Sequence, residues 1–211
     1  MRLTALKLSV VALLLLLLLG PADHADGGPG PPSPRKRPNK GLRPLTRLVV
    51  EMPVMVGCPN VPDNSIRFNN MSVALAGKND FVLNGEYDIL REAKDIAEVV
   101  IGFTKCREHQ SANTCENFQT WRFNKGVCHL MYQPNTMWSK FHDYVTPRPT
   151  CPSKAGKYLI RNATLDMKAM QALPLPLEGN VWIIRFSQFE PNGKLHTCTD
   201  TELRFHRARE N

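Results

Sequence analysis

The sequence predicts an all-β fold of two stacked sheets, and three observations lead there. Short runs rich in β-branched and aromatic residues recur through residues 49–211, separated by Gly, Pro and Asn turn signals. One segment alone, residues 134–145, has the character of a helix. Six cysteines form an even set behind an apolar leader, the composition of a disulfide-stapled domain.

The N-terminal end is read first as an address. Arg2 and Lys7 are a basic start, residues 10–19 are almost pure leucine, and Gly20, Pro21 and Ala22 suit a signal peptidase. The run is shorter than the roughly 20 apolar residues of a membrane span. Residues 1–22 are therefore expected to be a cleaved signal peptide, and the mature chain a soluble, secreted, extracellular protein. Residues 23–48 are too rich in Gly and Pro to fold and read as a disordered basic arm. Of the formal charge of +8, four net positive charges lie in this arm and two in the leader. Only two remain for residues 49–211, so the folded domain is not a basic platform and no nucleic-acid partner is expected.

The strands follow in order. Residues 49–56 are an apolar run broken by Pro53, which suits an edge or bulged strand ending at Cys58. Residues 65–76 and 80–90 are two further β-rich runs, with turns expected at Gly77 and Gly85. Along residues 93–103, Ala97, Val99, Ile101 and Phe103 share one face at period two. Residues 119–123 and 127–132 read as a strand pair turning at Asn124-Lys125-Gly126. In residues 134–145, Met137, Phe141, Tyr144 and Val145 share a helical face. Residues 157–160 are a strand after the Gly156 turn. Residues 181–189 are strongly β, with Trp182, Ile184 and Phe186 on one face, and residues 194–205 return after a Pro191-Asn192-Gly193 turn.

Chemistry-bearing residues are sparse. Cys58, Cys106, Cys115, Cys128, Cys151 and Cys198 allow 15 pairings as three disulfides; spacing favours Cys106–Cys115 and leaves the others open. No CxxC pair suggests zinc, and Cys128 and His129, as neighbours on a strand, point to opposite faces. The six histidines show no HExxH spacing, and no nucleophile elbow, phosphate loop or dinucleotide fingerprint is present. No catalytic residue, metal or cofactor is expected. Asn70-Met71-Ser72 and Asn162-Ala163-Thr164 are glycosylation sequons.

The segment Cys151-Pro152-Ser153-Lys154-Ala155-Gly156-Lys157-Tyr158 resembles the CP-x-K-x-G-x-Y signature of ML-type lipid-recognition domains, the family of the ganglioside activator and related arthropod chemosensory proteins. The order of the cysteines is similar as well. The resemblance implies an immunoglobulin-like two-sheet β-sandwich opened into a cup around an apolar cavity; the one short helix, residues 134–145, would lie in a loop of it. It also implies the pairs Cys58–Cys198, Cys106–Cys115 and Cys128–Cys151. The activator carries a further disulfide before the CP motif, where this chain has no cysteines between Cys128 and Cys151.

On this resemblance the cavity lining is expected from Val99, Ile101, Phe103, Leu130, Trp182, Ile184 and Phe186. Its mouth is expected from Met137, Trp138, Phe141, Leu173, Leu175 and Leu177. Three leucines between prolines either fold inward or form a lip that touches a membrane surface. The function implied is a non-enzymatic carrier or presenter of a lipid or other hydrophobic molecule, as in chemosensory perception, with a receptor as a further partner. The alternatives are a protein-binding adaptor with a closed core and a non-catalytic activator of a lipid hydrolase.

Overall fold

A computed structural model describes residues 45–77, 80–107, 111 and 113–209. The leader and almost all of the arm lie outside these residues. The arm ends earlier than its composition suggests, because the first strand, β1, begins at Thr46 and runs Thr46–Gly57. Leu48 is already buried, and Arg47 pairs with Asp80 at 2.7 Å.

The strands that follow are β2 (Ile66–Ala76), β3 (Asp80–Ile89), β4 (Glu98–Cys106), β5 (Cys115–Phe123), β6 (Val145–Thr146), β7 (Gly156–Ala163), β8 (Val181–Phe189) and β9 (Leu195–Arg209). They form a five-stranded sheet in the order β1-β9-β8-β4-β5 and a four-stranded sheet in the order β2-β3-β7-β6, with antiparallel pairing throughout. One core joins the two sheets. Val50, Val99, Phe103, Trp182 and Leu203 from the first meet Leu83, Tyr87, Ile89, Tyr158 and Ile160 from the second. Alternation explains the faces: Val99, Ile101 and Phe103 point inward, while their neighbours on β4 point out.

Two irregularities have clear causes. In β1 the register shifts between Glu51 and Val54, so Met52 and Pro53 together oppose one residue of β9. Proline cannot donate to a ladder, and an edge strand with a bulge is where it is tolerated. Gly85, expected in a turn, instead lies inside β3. Asn70 and Met71 bulge opposite it from β2, and Arg161 and Asn162 bulge beside it from β7. Its φ of +154° lies in a region side chains disfavour, and an added Cβ would sit 2.4 Å from Met71 Sδ.

Two expectations from sequence fail, and a helix goes unforeseen. Residues 127–132 form a helix, α1 (Val127–Tyr132), not a strand. Val127, Leu130 and Met131 lie at i, i+3 and i+4, a helical spacing short enough to pass for a strand. Residues 134–145 form successive turns and only a short 3-10 segment, Phe141–Tyr144. Asn135 takes a left-handed φ of 61°, which cannot open a right-handed helix. The Thr136 and Ser139 hydroxyls donate to the carbonyls of Gln133 and Thr136, closing turns in place of helix. The unforeseen helix, α2 (Met167–Gln171), is capped by Asp166, whose carboxylate accepts from the Lys168 and Ala169 amides.

Three disulfides lock this frame. Cys58–Cys198 ties the end of β1 to β9, Cys106–Cys115 closes the β4–β5 connection, and Cys128–Cys151 ties α1 to the loop before β7. These are the pairs the ML resemblance implies.

His196, on β9, is fully buried, and neither ring nitrogen has a hydrogen-bond partner among the described residues. Burial holds its pKa below the ordinary value of 6.5, Arg91 adds to the depression, and Glu190, 3.8 Å away, opposes it. His142 is depressed in the same direction, again chiefly by burial. The unfolded chain therefore takes up protons before the folded one, and stability falls as pH drops below about 6.5. Urea midpoints at pH 7.5 and 5.5, above the carboxylate range, should differ in the wild type. In His196→Leu the difference should shrink, since one of two such groups is removed; an undiminished difference contradicts this account.

Candidate functional site

A cavity of about 200 Å3 lies between the sheets. From the five-stranded sheet it is lined by Met52 and Met55 on β1, Ile101 on β4, Ile184, Phe186 and Gln188 on β8, and Thr197, Thr199, Thr201 and Leu203 on β9. The opposite wall is Ile66 and Phe68 on β2 with Tyr87 and Ile89 on β3. Connecting segments supply the rest: Met131 and Tyr132 of α1, Met137 and Trp138, Phe141 and His142, residues 149–151 with Ser153, and Leu165.

The cavity exists because of what β9 presents. Thr199 pairs with Phe186 and Thr201 with Ile184, so short side chains occupy the middle of the inner face. One register step further, Leu203 pairs with Trp182; both are fully buried, and Leu203 bounds the cavity where Trp182 closes it off as core. Larger side chains at the threonine positions would close the gap toward interior packing density.

Of the residues expected to line or rim a pocket, Ile101, Met137, Trp138, Phe141, Ile184 and Phe186 do border the cavity. Val99, Phe103 and Trp182 do not; they are plain core. Phe103 packs edge-on against Trp121 with centroids 4.4 Å apart, and Trp182 against Phe118 at 5.2 Å. Leu130 is half-buried on α1, away from the cavity. The leucines between prolines also stand apart from it. Leu177 is buried, and Leu173 and Leu175 pack half-buried against the core. Sequence reasoning missed the threonines, Met52, Phe68 and His142. For the threonines a signal existed, since Thr197, Thr199, Thr201, Leu203 and Phe205 keep one period-two register.

The loop wall is held from several sides. The Cys128–Cys151 bridge fixes it to α1, and the Trp138 indole donates to the Met131 carbonyl at 3.1 Å. The Met137 carbonyl accepts from the Asp166 amide at 3.1 Å, and Tyr158 Oη donates to the Lys154 carbonyl at 2.9 Å. Tyr158 stacks on Tyr87, their rings 4.9 Å apart and nearly parallel.

Electrostatically the cavity is neutral. Burial pushes the Tyr132 hydroxyl up to about 12, and burial likewise raises Tyr87 and Tyr158. Burial, with Arg148 next, holds His142 low, against an opposing effect of Asp143. The Thr197 hydroxyl donates to Gln188 Oε1 at 3.0 Å, so these two polar groups satisfy each other. Among the described residues, no three His, Cys, Asp or Glu side chains cluster as a metal site. Nothing in the lining pairs a nucleophile with a base. The arrangement can enclose an apolar group and offer it a few hydrogen bonds.

Compared with known proteins, the chain matches no family model and no curated protein.

Both sequon asparagines lie on the four-stranded sheet and are exposed. They sit in the two bulges that flank Asn84-Gly85, each in a left-handed conformation that asparagine tolerates, and the Asn162 amide donates to Asn84 Oδ1 at 2.8 Å. In protein secreted from eukaryotic cells, intact mass should show two N-glycans removable by a glycosidase. Ser72→Ala and Thr164→Ala should each remove one while keeping the asparagine in its bulge. An unmodified wild-type mass contradicts the expectation.

Proposed function

We propose that the protein is a secreted carrier or presenter of a small hydrophobic ligand held between its two sheets. The observation that carries this reading is the apolar-walled cavity of about 200 Å3 inside an otherwise packed core. Apolar cavities of roughly 150 Å3 stay dry and take up a molecule the size of benzene. The present volume thus suits one ring or a short alkyl segment, and a long acyl chain requires the sheets to part further. Each CH2 removed from water contributes roughly 0.8 kcal/mol, so affinity needs no charged group.

The CPSKAGKY segment supports the same reading through its resemblance to ML-type domains, in which an immunoglobulin-like cup holds lipids. Extracellular location is supported by three disulfides, which persist in oxidising compartments. The disulfides, at roughly 2–4 kcal/mol each, offset the core contacts that a cavity forgoes. In this reading the protein carries out no reaction. It delivers an extracellular hydrophobic cue or cargo to a receptor.

Filling the cavity separates binding from folding. Thr199→Phe places a ring where Thr199 now faces the cavity, on a strand position that accepts aromatics. Uptake of an environment-sensitive hydrophobic dye should weaken by about tenfold or more, roughly 1.4 kcal/mol, with an unchanged or higher Tm. Undiminished uptake by the folded variant places the binding elsewhere and contradicts the proposal.

A further inference from the structure

Four enclosed side-chain nitrogens lack a hydrogen-bond partner among the described residues: His142 Nδ1, Trp182 Nε1 and both nitrogens of His196. Trp182 and His196 lie away from the cavity. His142 borders it. The residue is only 8% exposed, and its Nδ1 is enclosed with no hydrogen-bond partner among the described residues. An unmade hydrogen bond at an enclosed polar atom is costly, and such groups in native proteins are rarely left without a partner.

The ring is held in place. Tyr132 packs against it with centroids 5.1 Å apart, and Asp143 is turned to Arg148 at 3.3 Å, so neither charged neighbour closes on the imidazole. Two other pairs in the wall are satisfied: the Thr197 hydroxyl donates to Gln188 Oε1, and the Thr150 hydroxyl donates to the Pro152 carbonyl. His142 is thus a hydrogen-bonding group at the edge of an apolar space, with Nδ1 left without a partner among the described residues.

Resting on the reading of the cavity as a ligand site, we infer that its ligand is a hydroxyl-bearing hydrophobe, a small alcohol or phenol whose oxygen bonds His142 while its carbon skeleton fills the space against Ile101, Ile184 and Phe186. A neutral imidazole is both donor and acceptor, as is a hydroxyl, so the two match in either direction. A carboxylate matches less well. It would bring a charge into a wall whose tyrosines are neutral and whose histidine is held uncharged.

The test compares n-hexane with 1-hexanol, using the fluorescence of the purified secreted protein, in which Trp138 lines the cavity. An unpartnered hydroxyl entering an apolar site forfeits its hydration, so without His142 the alcohol should bind far more weakly than the alkane. In the wild type, hexanol should bind within tenfold of hexane. In His142→Phe, hexanol should weaken by about five- to tenfold more than hexane, the worth of one neutral hydrogen bond. His142→Gln, which keeps a hydrogen-bonding side chain, should retain most of the wild-type ratio. If His142→Phe changes both ligands alike, the anchor is wrong and the carrier reading stands. If neither compound binds the wild type, the carrier reading falls and takes the anchor with it.

Discussion

The inner face of β9 sets the character of this structure. Thr197, Thr199, Thr201, Leu203 and Phe205 follow one another on that face, small and polar at one end, large and apolar at the other. Where Leu203 meets Trp182, large apolar side chains fill the core and bound the cavity. Where the threonines pair with Gln188, Phe186 and Ile184, the shorter side chains leave the cavity open. A strand cannot shift its register to repair this, because a one-residue slip would turn every inner side chain outward. The cavity is therefore written into a single strand and held by its neighbours.

Those neighbours are constrained in turn. Cys198, on the outer face of β9, is bonded to Cys58 and fixes β1 along the edge of the sheet. On the opposite sheet, Gly85 lets two bulged strands close around β3, bringing Met71 inward and turning Asn70 and Asn162 outward. The loop wall relies on the Cys128–Cys151 bridge and on side chains that donate to backbone, in a region too irregular for ladders. Stability and the cavity are thus managed by separate devices: sheet pairing and disulfides supply the first, and local side-chain size the second.

The strands were legible in the sequence where period-two alternation ran long enough. Residues 181–189 match β8 end to end, and Val99, Ile101 and Phe103 point inward as their spacing requires. Reading failed where a segment was short. Val127–Tyr132 is too brief for a helical period to separate itself from a strand, and Asn135 breaks the helix expected over 134–145 by a backbone conformation no periodicity reports. The site was half legible for a different reason. Large apolar residues advertise a buried face but not which of them border empty space; Trp182 and Phe103 share a pattern with Ile184 and Ile101 yet fill the core. The deciding residues, the threonines and His142, are polar, and hydrophobic patterning passes over them.

Native mass spectrometry of the secreted, unreduced protein, before and after extraction with organic solvent, asks whether the cavity holds a ligand. The account predicts a species heavier than the disulfide-bonded, glycan-corrected chain by the mass of one small organic molecule, lost on extraction and recovered in the solvent. A bare chain before extraction that also fails to take up any small hydrophobe afterwards would contradict it, and would leave the cavity a packing defect of the fold.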